Sequence, residues 1–170
     1  MGEAHISRQV QARPIRVMLV DDHEVVRRGL RSLLEPAADI LICGETGGVS
    51  EAVEAVQSMD PDVVIMDVGL PDGSGIDAAR QIRVRLPSTR VVIFTSFADP
   101  EALFASILAG ASGFLLKQIE GGSLVSAIRM VAQGRRVLDP SIMEAALDRL
   151  RQYLVEDEKL ARLSFREERI

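Results

Sequence analysis

The sequence predicts a doubly wound α/β domain, a five-stranded parallel sheet with helices on both faces, followed by a linker helix. Three observations predict it. Short β-rich apolar runs alternate five times with stretches of helical spacing, and parallel strands need crossover helices between them. The central runs are apolar on both faces, as in a sheet covered on two sides. Three runs also end on a charge that strand formation does not need: 15–20 runs into Asp21-Asp22, 63–66 into Asp67, and 114–116 into Lys117. The C-terminal ends of parallel strands share one edge of an open sheet, where such folds hold ligands.

The elements follow in order. Residues 1–13 are polar and aperiodic, and read as a flexible tail. Ile15–Val20 is the first strand. His23–Glu35 has helical spacing, with Val25, Val26, Leu30, Leu33 and Leu34 as its stripe. Strand 39–43 and helix Val49–Ser58 come next, then a turn at Asp60-Pro61-Asp62 and strand 62–66. Leu70-Pro71-Asp72-Gly73 is a turn ahead of helix Ser74–Leu86, and Leu86-Pro87-Ser88 turns into strand 90–94. Asp99-Pro100-Glu101 caps helix Asp99–Ala109 with proline at its first position. Strand 112–116 and helix Glu120–Gln133, with Leu124, Ile128 and Val131 at core spacing, complete a domain over 14–135. Residues 136–160 read as a linker helix with Ile142, Ala145, Ala146, Leu150 and Leu154 on one side. In 161–170, Ser164 and Glu167 form a capping box that announces a further helix.

Composition narrows the function classes. With 47% apolar residues a chain of 170 builds a real core, and no apolar run reaches the length a bilayer span needs. The start, Met1-Gly2-Glu3-Ala4-His5, lacks the pattern of a secretory signal, and the lone Cys43 forms no internal disulfide; a cytoplasmic setting fits. Cys43 reads as a buried small hydrophobe. A net charge of −5 argues against this stretch coating nucleic acid. Of 20 basic residues only Lys117 and Lys159 are lysine. At a strand end a compact, rotatable ammonium differs physically from a planar guanidinium.

The charges at the strand ends suit one chemistry. Mg2+ takes oxygen ligands and is typically held by one or two carboxylates plus phosphate, a demand met by Asp21, Asp22 and Asp67. Asp67, followed by a loop with three glycines, is placed to act as a nucleophile toward phosphorus. Lys117 neutralises a phosphoryl oxygen, and Thr95, ending 91–94, offers a hydroxyl. Taken singly, Asp21 or Asp22 has an alternative as a cap of the helix near His23, Asp67 as a loop carboxylate and Lys117 as a solvated lysine. His23 reads as an exposed first-turn residue. Their convergence on one sheet edge favours the phosphoryl site.

These residues carry a resemblance. Leu19-Val20-Asp21-Asp22-His23-Glu24, the stretch Ile65-Met66-Asp67 through Gly75, Phe94-Thr95-Ser96, and Ala109 through Lys117 resemble the receiver domain of bacterial two-component response regulators. Asp-Asp-His after the first strand and Leu-Pro-Asp-Gly after Asp67 are similar to the NarL/FixJ subfamily, whose full-length members end in a LuxR-type helix-turn-helix. Leu163-Ser164-Phe165-Arg166-Glu167 resembles the opening of that DNA-binding domain.

The resemblance implies a flavodoxin-like strand order 2-1-3-4-5. It implies Asp67 as phosphoacceptor, and Mg2+ held by Asp21, Asp22, Asp67 and the backbone carbonyl of Gly69. Thr95 and Phe114 become switch residues, Phe114 turning inward on phosphorylation, and Lys117 the phosphoryl-binding lysine. It implies a sensor histidine kinase as partner, a homodimer, DNA contact only through a C-terminal domain not included in these 170 residues, no membrane association, and no enzymatic activity beyond self-phosphorylation and autodephosphorylation. Gln118 stands where many receivers have proline, so a cis peptide after Lys117 is not expected. A haloacid-dehalogenase phosphatase would need an aspartate where Gly69 stands, and no Gly-x-Gly-x-x-Gly follows the first strand to bind a dinucleotide. The remaining alternative is a phosphorylation-independent receiver serving as a dimerisation or protein-binding module.

Overall fold

The computed structural model describes residues 12–97 and 99–167; the expected tail falls outside it up to residue 11. Six strands form one parallel sheet: β1 (Ile15–Val20), β2 (Ile40–Thr46), β3 (Val63–Met66), β6 (Arg90–Thr95), β7 (Gly113–Leu116) and β8 (Val137–Leu138), in the order β2-β1-β3-β6-β7-β8. The first five are the predicted strands in the predicted order. The sixth, β8, is an addition: Val137 pairs with Gly113 and Leu138 with Phe114. Two residues carry no periodicity, so the sequence shows only a boundary there.

Helices α1 (Glu24–Leu34) and α5 (Gly121–Ala132) cover one face; α2 (Val49–Met59), α3 (Gly75–Arg85) and α4 (Pro100–Leu108) cover the other. On the first face Val17, Leu19, Ile65 and Val92 pack under Leu30, Leu34, Leu124 and Ile128. On the second, Met18, Val64, Met66 and Ile93 pack under Val56, Ile76, Ile82 and Leu103. Each such side chain, fully buried, contributes roughly 1.5–3 kcal/mol against exposure. The helix boundaries lie within about one residue of those read from spacing and caps. Ser74 accepts from the Ile76 amide to start α3, and Asp99 from Glu101 to start α4.

Several expectations are corrected. In α1 the core face is Val26, Leu30 and Leu34, at i, i+4 spacing; Val25 points to solvent, because it lies one residue, 100°, off that line. Cys43 is half-buried rather than buried. The register between β1 and β2 shifts there, with Val17 opposite Ile42 but Met18 opposite Gly44, so Cys43 is the unpaired residue of a bulge. The glycine-rich loop after Asp67 is a tight antiparallel hairpin, β4 (Gly69–Leu70) and β5 (Gly73–Ser74). The linker helix, α6 (Pro140–Glu167), begins later than expected, behind β8 and an Asp139 cap, and runs on through Ser164. The Ser164 hydroxyl donates to the Ala161 carbonyl inside α6, so it starts no new helix. Among the described residues no helix is long and apolar enough to cross a membrane.

Candidate functional site

Strand register brings the charges together. The Asp67 amide donates to the Val20 carbonyl at 2.9 Å, tying the end of β3 to the end of β1. The Lys117 amide donates to the Thr95 carbonyl at 2.8 Å, tying the end of β7 to the end of β6. Asp21, Asp22, His23 and Asp67 each offer a ligand atom, all within 4.8 Å of one another. The Lys117 ammonium, Nζ, donates to Asp21 Oδ2 at 2.7 Å and stands 3.2 Å from Asp67 Oδ2.

The Asp21 residue is 1% exposed and Asp67 8%. Burial pushes the Asp67 carboxyl above the usual carboxylate range, the neighbouring Asp21 charge pushes the same way, and Lys117 only partly opposes them. Burial acts to lower the Lys117 ammonium, but the Asp21 hydrogen bond and the two carboxylate charges outweigh it, and the net direction is upward. Three carboxylates with one shared ammonium leave an acidic pocket that a divalent cation would complete, and an all-oxygen donor set suits Mg2+.

The remaining expected residues are placed as follows. Thr95 is buried at the end of β6, beside Leu116 of β7. Gly69 lies at the start of the hairpin, with open space where a Cβ would stand. Phe114 is 1% exposed and packed in the core with Leu103, Ala109 and Ala111. Neither Asp21 nor Asp22 caps α1 in the ordinary way: Asp21 Oδ1 accepts from the amide of His23, the N-cap residue itself, at 2.8 Å.

With this geometry in place, the relatives decide the family. The response regulator receiver domain family matches residues 17–129. The chain belongs to the response regulator receiver family. It is 42% identical over 153 residues to the DNA-binding transcriptional activator DevR/DosR of Mycobacterium tuberculosis, covering 90% of this chain and 70% of that protein. It is 38% identical over 137 residues to the transcriptional regulatory protein LiaR of Bacillus subtilis, covering 81% of this chain and 65% of that protein. The chain thus spans about two thirds of these curated relatives. Among solved structures, a LuxR-family two-component response regulator from Aurantimonas sp. SI85-9A1 superimposes with a TM-score of 0.76 at 35% identity, covering 80% of this chain and 97% of that one. The receiver domain of a NarL-type regulator from Mycobacterium tuberculosis gives 0.70 at 29% identity, covering 72% and 99%.

Three residues that position the receiver site escaped the sequence reading. Gly75, first residue of α3, sits against Asp67: a Cβ there would stand 1.8 Å from the Asp67 carbonyl oxygen. Asp72 caps α2 from across the hairpin, accepting from Val49 and Ser50 amides at 2.7 and 3.0 Å. Arg27 donates to the Asp21 carbonyl at 2.5 Å and pairs with Glu24. Asp72 acts across 22 and 23 residues, and Gly75 and Arg27 across eight and six, through folded-chain contacts that no periodicity encodes. The only local signal was glycine and aspartate in the Leu-Pro-Asp-Gly turn and its neighbourhood.

Proposed function

We propose that this receiver is phosphorylated on Asp67, with Mg2+, and that phosphorylation switches the surface used for dimerisation or output in a transcriptional regulator. The observation that carries the reading is the half-neutralised carboxylate pair, Asp21 and Asp67, sharing the Lys117 ammonium at the C-terminal edge of the sheet. The Asp67 carboxylate attacks phosphorus in line. The bond from phosphorus to the donor, a histidine kinase imidazole or a small acyl phosphate, breaks as the Asp67 oxygen–phosphorus bond forms, and the leaving group carries off the electron pair. Asp21, Asp22, Asp67 and the Gly69 carbonyl would hold Mg2+, which would supply positive charge against the phosphoryl oxygens. Lys117, no longer needed by the Asp67 carboxylate, pairs with a phosphoryl oxygen. Thr95 offers its hydroxyl to another.

Phosphorylation adds roughly one negative charge at neutral pH. Thr95 then moves toward the phosphoryl oxygens and Phe114 turns into the space it vacates, a population shift between two arrangements of the domain. The partners this reading entails are a sensor histidine kinase, a second copy of the chain, and DNA contacted through a C-terminal domain of the kind the longer relatives carry; the setting is the cytoplasm. The chain turns over no separate substrate, its only chemistry being its own phosphorylation and dephosphorylation. The test is labelling with radioactive acetyl phosphate in Mg2+. The wild type takes up acid-labile label and Asp67→Asn takes up none; label on Asp67→Asn equal to wild type would overturn the assignment.

A further inference from the structure

Helix α6 carries an apolar stripe beside the line that roots it. Ile142 and Ala146 bury the root against the domain. Met143 and Leu147 stand one residue, about 100°, round from that line, and Leu150 and Leu154 continue them. All four are exposed, between 41% and 67%. Their spacing of four, three and four residues is that of a coiled-coil seam, with Leu147 and Leu154 at heptad position a and Met143 and Leu150 at d. The seam is bounded by Pro140, which opens the helix, and by Asp157 and Ala161 at the next two seam positions. Because α6 is one continuous helix, its own later turns cannot fold back over the stripe.

The stripe is complementary to itself. When two such helices run antiparallel, a of one meets d of the other: Leu147 meets Leu150, and Leu154 meets Met143. The two-fold axis repeats both layers, so every apolar position finds an apolar partner. The same register sets position e beside position e, which places Glu144 of one copy beside Arg151 of the other, twice about the axis. Both residues are exposed. Among the described residues Glu144 has no ion pair, and Arg151 has only the exposed Asp148 at 3.3 Å on its own helix. In a parallel pair, g meets e, and Ala146 would face Arg151 and Tyr153 would face Glu158, with no opposite charges. Charge therefore selects the antiparallel pair.

We propose that α6 is the contact for a second copy of this chain: a two-fold, antiparallel pair of α6 helices, closed by Met143, Leu147, Leu150 and Leu154 and oriented by two Glu144–Arg151 ion pairs. This names the surface used by the second copy in the reading above. The roots of the two helices, each fixed to its own receiver, lie at opposite ends of the joint. Four layers make a short seam, so association is weak and concentration-dependent.

Sedimentation equilibrium of the full 170-residue chain, from micromolar to near-millimolar concentration, measures the monomer–dimer constant. Arg151→Glu sets like charges across the joint twice and weakens dimerisation about tenfold, as does Glu144→Arg. The double swap, Glu144→Arg with Arg151→Glu, restores opposite charges and returns the constant to within about threefold of wild type. Leu150→Asp, on the exposed stripe, leaves the chain monomeric and the receiver folded. A wild type that stays monomeric throughout, single variants that dimerise like wild type, or a swap as weak as the single variants overturns the interface. Acetyl phosphate labelling tests the phosphorylation reading separately: a labelled chain that is monomeric fails only the α6 contact, and an unlabelled chain that dimerises as described fails only the phosphorylation reading.

Discussion

At the residue scale the site is built from unequal carboxylates. Asp21 has the Lys117 ammonium at 2.7 Å and the His23 amide at 2.8 Å, whereas Asp67 is desolvated and faces the Asp21 charge. The folded-state pKa of Asp67 is therefore raised above its unfolded value. In that window the folded state binds more protons, so the Asp67 contribution to stability declines as pH rises from the ordinary carboxylate pKa through the raised one. Asp67→Asn accordingly raises the melting temperature of the metal-free protein at neutral pH and flattens its fall across that acidic window. Asp21→Asn lowers the melting temperature at neutral pH, because it strips Lys117 of its nearer partner. Thermal melts from about pH 4 to 8, in chelator, check both, and a neutral-pH Asp67→Asn melting below wild type contradicts the account. Lys117 adds nothing to this slope: its raised pKa keeps its contribution whole below the usual lysine value and loses it only in alkali. Gly75 is the second residue-scale lever. Alanine in place of glycine ordinarily favours a helix by up to about 1 kcal/mol. Here the added Cβ would meet the Asp67 carbonyl oxygen at 1.8 Å, a backbone atom that cannot swing aside. The clash wins: Gly75→Ala destabilises by about 1–3 kcal/mol and slows acetyl phosphate labelling, measured by denaturant melts and by labelling time courses.

At the element scale the hairpin after Asp67 is more than a connection. Gly48, the N-cap residue of α2, has no side chain to offer the helix, and Asp72 serves instead from the turn of the β4–β5 hairpin. The two amides hold the Asp72 carboxyl below the usual carboxylate range. Its contribution is thus present above the ordinary carboxylate pKa and is lost as pH falls through the lowered value. Asp72→Ala lowers the melting temperature at neutral pH and speeds amide exchange in the first turn of α2, an effect that shrinks in acid. Unchanged exchange at Val49 and Ser50 would show that the cap carries no weight. Elements of this kind mark the limit of what was legible. Strand ends at Val20, Met66 and Leu116 could be read because an apolar run stopping at a charge is local information; β6 runs one residue past the expected 90–94, to Thr95 before Ser96, where no charge marks the end. Helix limits could be read from Asp99-Pro100 and from 3.6-residue spacing. The hairpin, β8 and the Asp72 cap could not, since two-residue strands have no period and a cap from 23 residues away leaves no local pattern. For the same reason Gly75 was seen as loop composition and not as a residue packed against Asp67, and His23 as a surface residue and not as a neighbour of two carboxylates.

At the scale of the whole molecule, α6 is the element whose two ends differ most. β8 pairs with β7 beside Phe114, and the Asp139 amide donates to the Phe114 carbonyl at 3.1 Å, so the helix starts from the backbone of Phe114, the residue proposed as the aromatic switch. Its first turns pack on the domain: Ile142 is fully buried and Ala146 nearly so, in the same core as Leu103 and Phe114. Movement at Phe114 is therefore coupled to the root of α6 by both hydrogen bonds and packing. Beyond that root the helix leaves the core, with Leu150, Leu154, Leu160 and Leu163 exposed. Its 28 residues extend about 42 Å at 1.5 Å each, and its outer turns lack the tertiary packing from which most helix stability in proteins comes. In dilute protein, amides near 142–147 exchange slowly with the core, while those from about 155 onward exchange orders of magnitude faster. Raising protein concentration, or adding beryllofluoride with Mg2+, protects the outer turns if a second copy of the chain covers those leucines in the phosphorylated state. Outer-turn protection that equals the root in dilute, unliganded protein, and does not change with either addition, would show that α6 is stable alone and that the switch at Phe114 does not reach it.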